Sequence, residues 1–394
     1  MKHNIYLDNA ATTKPSETVL QRAMPFLKEE YGNPNSIYSF GSTAREAVNR
    51  ARNQVAFLIN AKPQQIVFTS SGSEANNLVI KGTRKYCKSI NKSAILISAI
   101  EHDSINNAAD QEDCTVFRVY PNSFGVIEAQ SVKDMLDCHP EIGLVSIMNV
   151  NNEIGSINPI IDIGEICSKK DVLFHTDCVQ SLGFEYIDVD DIKCDFLTMS
   201  AHKIHGIKGA GALFVKDKEV LEPIINGGSS QEWGLRGGTQ AVFPIVVFGE
   251  ACEYYYLAGN VATERFVVDH FRRYFYLSLH KEFKKKGCDF DELVEIIGDP
   301  FYDAGKILTL RFKGIDAETL LLKLSTKGVF VSAGSACESN ESKPSRVLKA
   351  IGLKDDEARE CIRFSFSHFN TEKEIEKAAK IVVECVISLK ELSC

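Results

Sequence analysis

The stretch FLTMSAHKIHGIKG, from Phe196 to Gly209, carries an apolar run straight into Ser200, His202, Lys203, His205 and Lys208. Amines and imidazoles are costly to bury without partners, so a strand that ends in them should end facing a ligand. The Lys203 amine could join a carbonyl compound covalently. Four further apolar runs end in reactive or hydrogen-bonding groups. VFTSSGSEANN ends in Gly72 and Ser73, AILISAIEHDSI in His102, LVSIMNVNNEIG in Asn151 and Asn152, and VLFHTDCVQ in Asp177 and Gln180. A lone histidine is more often a core or surface group, and a lone Asp after a strand is often a helix cap. Five such endings in succession point instead to one site.

The elements that must position these groups follow from the same runs. QIVFTS, AILISAI, LVSIMNV, VLFHTD, DFLTMS and GALFV are short apolar segments separated by helix-like stretches. That alternation predicts a mainly parallel sheet covered by helices, with the ligand beyond the carboxyl ends of the strands. AREAVNRARNQVAFLI places Ala44, Ala47, Val48, Ala51, Val55, Leu58 and Ile59 on one helical face. A largely helical stretch from Ala241 towards Lys286 loosens at Gly259 and Asn260. Beyond it the strand pattern resumes with KILTLRF, VFVSAG and IRFSFS, and the chain closes in a helix from Thr371. The expected division is a large domain over 16–256 and a smaller α+β domain built from 1–15 and 257–394.

The ligand that needs this donor set has four features. Its phosphate would sit on the helix start in SSGSE, where Ser71 and Glu74 suit a capping box, with Ser200 and His202 as further donors. A ring nitrogen would pair with Asp177, an aromatic plane would stack on His102, and a carbonyl would join Lys203 as a Schiff base. Pyridoxal phosphate has all four, and a protonated ring nitrogen makes that cofactor an electron sink. No Walker motif or dinucleotide-type glycine fingerprint competes.

The 394 residues are 44% hydrophobic and 25% charged, with a formal charge of −8, which argues against a generic nucleic-acid surface. The first residues, MKHNIYLDNAATTKP, lack the apolar core of a signal peptide, and no apolar run reaches membrane-spanning length. A cytoplasmic location is therefore expected. The 12 cysteines include no CxxC pair, which leaves a zinc site built on them without support, and reduced thiols are expected.

IYLDNAATT, YGNPNS, FTSSGSEANN, NNEIG, HTDCVQ, SAHKIHGIKG, LRGGT, GSAC and IRFSFS, in this order, resemble class V pyridoxal-phosphate enzymes of aminotransferase fold type I. Within that group they are similar to the cysteine desulfurases of the NifS/IscS kind. The resemblance implies that Lys203 is the Schiff-base lysine and that His102 stacks on the ring and moves protons. It implies that Asp177 pairs with the ring nitrogen and Gln180 with the ring hydroxyl, and that Gly72, Ser73, Ser200 and His202 hold the phosphate. Thr239 would reach a phosphate in a partner subunit, which implies a homodimer. Asn152 would lie against the cofactor and, with Arg363, receive the substrate carboxylate, which the planar guanidinium binds at two points. Ser73, Cys178, His205, Ile207 and the SFSH after Arg363 depart from the commoner pattern of that family.

Cys337 stands in VSAGSACESNESKPSRVLKAIGL, whose 332–345 portion has the composition of an exposed loop before a helix. A thiol on such an arm could reach a deep substrate and carry sulfur out. The spacing from Cys337 to Pro344 resembles the family branch with a long loop, whose members hand sulfur directly to partner proteins. The implied reaction converts L-cysteine to L-alanine and leaves a persulfide on Cys337, for an acceptor such as an iron–sulfur scaffold or a tRNA-thiolation protein. Three rivals remain at this level: a selenocysteine lyase, a small-molecule aminotransferase, and a cofactor-binding protein without turnover. The KEFKKKG tract reads as a solvated helix end.

Overall fold

The computed structural model describes residues 4–257, 260–299, 303–334 and 344–393. A seven-stranded sheet dominates. Its strands are β2 (Ile66–Thr69), β3 (Ala94–Ser98), β4 (Thr115–Val119), β5 (Ile142–Ser146), β6 (Leu173–Asp177), β7 (Phe196–Ser200) and β8 (Gly211–Val215). They lie in the order β2-β8-β7-β6-β5-β3-β4. The pairs from β7 through to β4 are parallel, while β8 is antiparallel to both β7 and β2. Only β8 therefore runs against the rest, and the other six strands point their carboxyl ends at one edge.

Both faces of this sheet are buried. Ile66 and Phe68 join one apolar cluster while Val67 joins another, and Leu96 alternates with Ile95 and Ile97 in the same way. A sheet covered on both sides reads as continuous apolar runs, because neither face has to stay wet. The helix Ser39–Leu58 buries Ala44, Ala47, Val48, Ala51 and Val55 on the expected stripe. It packs against the helix Val242–Tyr256, whose Gly249 lets Ala51 approach; a Cβ there would meet the Ala51 Cα at 2.5 Å.

A second region has its own apolar cluster. Strand β10 (Ile307–Phe312) pairs antiparallel with β9 (Val294–Ile297) and β12 (Cys361–Ser365), and β1 (Ile5–Tyr6) pairs in parallel with β11 (Val329–Phe330). The helices Asn260–Lys285 and Glu372–Ser393 cover these strands. Ile5 and Leu7 belong to this cluster, so the first strand folds with residues more than 300 positions away. Strands β4 and β9 were not among the apolar runs read from the sequence. Arg118 and Glu295 interrupt them, and the outward residues of the edge strand β4 are partly wet.

Candidate active site

Because six strands point the same way, their ends converge. A cavity of about 250 Å³ opens there, lined by residues that follow β2, β3, β5, β6 and β7. It brings together Gly72, Ser73, His102, Asn152, Asp177, Gln180, Ser200, His202, Lys203 and Arg363. Thr239 does not line it and is exposed. Cys337 lies outside the described residues.

At the end of β2, Ser71 caps the helix Gly72–Gly82 and accepts the Glu74 N–H at 3.2 Å. The reciprocal bond of a capping box is displaced by one residue: Glu74 accepts from the Ser70 N–H at 2.7 Å and also pairs with Arg236. Glycine is required at position 72, because a Cβ would lie 2.8 Å from Val179 Cγ2. The start of this 11-residue helix leaves backbone donors for an anion.

Lys203 is held at the cavity wall, its Nζ donating to the carbonyls of Ala10 and Ala11 at 2.5 and 2.9 Å. Gln180 Nε2 also donates to Ala10 O, at 2.9 Å. The DNAATT segment thus forms one wall through its backbone. Thr12 and Thr13 continue it, reaching the His202 Nδ1 and carbonyl at 3.1 and 2.9 Å. Burial, together with the Lys203 and Lys208 charges, pushes His202 down to about 3. It is therefore a neutral imidazole that can donate one N–H.

Asp177 accepts from Val179 N at 2.9 Å and from Asn76 Nδ2 at 2.8 Å. Asn76 also donates to Ser104 Oγ, which lies 2.8 Å from His102 Nδ1. Because His102 Nδ1 accepts the Ser104 N–H at 3.1 Å, the neutral ring carries its proton on Nε2. One network thus fixes both the carboxylate and the imidazole. Asn76 and Ser104 were not singled out in the sequence, although ANN and HDS flank residues that were.

Arg363, nearly fully buried, donates to Asn152 O and to Asp8 Oδ1, each at 2.8 Å. Its Nε has no hydrogen-bond partner among the described residues, and neither do Ser200 Oγ and Gln180 Oε1. Buried polar atoms are ordinarily paired, and these three belong to residues lining one cavity. The donors fit pyridoxal phosphate: helix-start amides, Ser200 and His202 for a phosphate, Asp177 for a ring nitrogen, Gln180 for a ring substituent and the Lys203 amine for an aldehyde. Glu101, beside His102, was not read from the sequence. Burial pushes its carboxyl up to about 8 against the bonds from Ser98 and Met148 N.

The segments that enter and leave 335–343 are anchored at the same cavity. Ser332 bridges to Arg363 through paired backbone hydrogen bonds of 3.2 and 2.8 Å. On the far side, Ser345 Oγ donates to Glu153 at 2.5 Å, and Arg346 pairs with Asp103.

Known proteins resemble this chain in sequence and in fold. The aminotransferase class-V profile matches residues 5–378. A cysteine desulfurase IscS of Pseudomonas putida (strain GB-1) is 40% identical over 401 residues, covering 100% of this chain and 95% of that protein. A cysteine desulfurase IscS of Clostridium botulinum (strain Hall) is 36% identical over 398 residues, covering 100% and 97%. Among solved structures, a NifS-like protein superposes with a TM-score of 0.88 at 30% identity, over 98% of this chain and 100% of that one. A structure described as SspA in complex with cysteine gives 0.76 at 32% identity, over 93% and 99%. With the profile spanning nearly every element described above, and relatives matched end to end, the chain belongs to the aminotransferase class-V family.

Proposed function

We propose that this protein is a pyridoxal-phosphate-dependent cysteine desulfurase, which converts L-cysteine to L-alanine and places the sulfur on Cys337 as a persulfide. The observation that carries the reading is the single cavity in which Lys203, Asp177, His102 and Arg363 meet, with unpaired polar atoms on Gln180, Ser200 and Arg363. The cysteine desulfurase names of the relatives, and the neighbour solved with cysteine, support the same substrate.

Bound here, pyridoxal phosphate supplies an electron sink that loosens bonds around the Cα of an attached amino acid. Gly72, Ser73, Ser200 and His202 bind its phosphate, and Asp177 and Gln180 fix the ring. His102 would lie against the ring, and Ser104 N–H on its Nδ1 would leave the proton of the neutral imidazole on Nε2. Arg363 and Asn152 bind the substrate carboxylate. To do so Arg363 must share or give up its bond to Asp8, and its Nε is already available. Lys203 Nζ, poised against Ala10 O and Ala11 O, moves the Cα proton. The Cys337 thiolate attacks the substrate sulfur, forming an S–S bond as the Cβ–S bond breaks; the electron pair of that bond stays with the carbon skeleton, which takes up a proton to become alanine. Access of the thiolate is supported by Ser332 and Ser345, which tie both ends of its segment to the cavity wall.

The proposal extends to the assembly. The chain acts as a homodimer in which Thr239 contributes to the partner subunit's phosphate site, in keeping with its exposure in the single chain. Exposed Tyr31, Ile37 and Tyr38, within eight residues of one another, supply apolar surface for such an interface. The chain divides into a large domain over 16–256 and a small domain of 1–15 and 257–394, supported by the apolar cluster of the second region, while Ile297, Val347, Leu348, Ile351, Ala358 and Cys361 of the small domain pack into the large domain's core. The sulfur passes to an acceptor protein for iron–sulfur cluster or thio-tRNA synthesis. A cytoplasmic setting suits these roles, and no helix among the described residues is long and apolar enough to cross a membrane.

Brief exposure to L-cysteine followed by peptide mass spectrometry tests the reading. The added sulfur should map to the Cys337 peptide, and Cys337→Ala should keep its cofactor while losing sulfide production. Lys203→Ala should lose the lysine-linked cofactor absorbance and nearly all turnover. Undiminished sulfide release by either variant rejects the proposal.

A further inference from the structure

Two positions that depart from the commoner family pattern, His205 and His368, meet outside the cavity around a third residue, Glu264. His205 follows Lys203 by two residues, Glu264 lies in the helix Asn260–Lys285, and His368 follows β12. Both His205 and Glu264 are about 3% exposed. The potential ligand atoms of the three residues lie within 4.8 Å of one another.

The hydrogen-bonding pattern of His205 sets up the cluster. Its backbone N–H donates to Thr13 Oγ1 at 2.8 Å, which helps fix a residue at a left-handed φ of 62°. Its Nδ1 lies 2.9 Å from the Lys14 carbonyl, an acceptor only, so Nδ1 carries the proton. Its Nε2 faces the cluster. It has no hydrogen-bond partner among the described residues and stands 3.8 Å from Glu264 Oε1. That distance is too long for a hydrogen bond, and the approach of this nitrogen to a carboxylate is favourable with a proton on it or with a metal cation between them. On the other side His368 Nδ1 is 2.6–2.7 Å from the two Glu264 oxygens.

We infer that His205 Nε2, Glu264 and His368 Nδ1 form a binding site for one divalent cation of the zinc class. Two imidazoles and a carboxylate are the donor set such ions favour, and a carbonyl on the far nitrogen of a ligating histidine is the usual outer partner. Metal–ligand bonds of about 2.0–2.1 Å at the tetrahedral angle separate ligand atoms by about 3.3 Å. The His368–Glu264 pair would open by about 0.6 Å, His205 would close on Glu264 by about 0.5 Å, and the two histidine nitrogens, no more than 4.8 Å apart, would close by up to about 1.5 Å. Three protein ligands leave the fourth position to water. The ion would fasten the segment carrying Lys203 to the helix Asn260–Lys285 and to the strand carrying Arg363, a positioning role apart from the reacting atoms.

The test uses the full-length holoenzyme, treated with chelator, desalted and titrated with Zn²⁺ or Co²⁺. Metal analysis should find one equivalent per chain. Co²⁺ should give tetrahedral visible bands to the red of the pyridoxal absorbance, without the near-ultraviolet bands of thiolate ligation. The thermal transition should rise with Zn²⁺ concentration. His205→Phe and His368→Phe keep the ring volume in a setting already flanked by Phe369. Each should weaken binding by more than the roughly 10–100-fold that loss of an outer partner costs, while retaining pyridoxal phosphate. Glu264→Gln provides a third, isosteric variant should either of these fail to fold. Absence of a bound equivalent in the wild type overturns the site, and so does equal binding by the folded variants. Sulfide release, read separately, reports on the proposed activity and not on the metal.

Discussion

At the scale of single residues, the site depends on where protons and charges are held. Glu101 is the clearest case. Its folded carboxyl is raised from 4.5 to about 8, chiefly by burial, so between these values the native state keeps a proton that the unfolded chain has lost. Stability should therefore fall as pH rises through that window. Glu101→Gln, which keeps the shape and a donor, should remove this slope. Urea titrations of both proteins at about pH 5 and about pH 8 check it, and identical slopes would place the proton elsewhere. Arg363 already donates to Asp8 and Asn152, and its Nε has no partner among the described residues. Arg363→Ala should raise KM for cysteine by about tenfold or more with a smaller loss of kcat, as steady-state kinetics would read. The residues listed in the sequence by type were mostly the ones the cavity collects. Those missed, Asn76, Ser104, Asp8 and Glu101, act by bonding to others, and sequence spacing carries no record of such pairings.

At the scale of elements, strand ends and the segments after them do the positioning. The stretch leading to Thr239 has left-handed backbone at Glu232 and Trp233, with φ of 42° and 56°. It is pinned by a buried ion pair: Arg52 meets Glu232 through two 2.7 Å bonds, between the rings of Phe68 and Trp233. Glu232 also accepts from Phe68 N at 2.8 Å. Glu232→Ala would leave the buried Arg52 without a counter-charge, held only by Ile66 O and the two rings, and should cost about 3 kcal/mol or more in denaturant unfolding. It should also loosen cofactor retention if Thr239 serves a neighbouring phosphate site. The apolar runs made β2, β3, β5, β6, β7 and β8 legible, because a sheet buried on both faces needs no polar alternation. β4 and β9 were hidden by Arg118 and Glu295, which a strand with one wetter face can carry.

At the scale of the whole molecule, the first residues close the structure. Tyr6 and Leu7 hydrogen-bond into the small region, while Ala10, Ala11 and Thr13 form the wall behind Lys203. The first residues therefore join the small region's apolar cluster to the wall of the cavity. If the molecule is a homodimer, sedimentation equilibrium should return twice the single-chain mass. Thr239→Ala should then lower cofactor retention without changing that mass; a monomer that retains full cofactor and activity would reject the partner role.

The sequence by itself determined the chemistry: the run endings that deliver Lys203, Asp177, His102 and Ser200, the motif order, and the alternation of strand and helix that puts strand ends at one edge. These are local properties, fixed by residue type and by the period of the backbone. Only the tertiary structure decided which groups pair across the chain: Arg363 with Asp8, Asn76 between Asp177 and Ser104, Lys203 on the carbonyls of Ala10 and Ala11, and His205 with Glu264 and His368. Contacts between residues up to about 350 positions apart depend on how the sheets pack and twist against each other, and no local period encodes that.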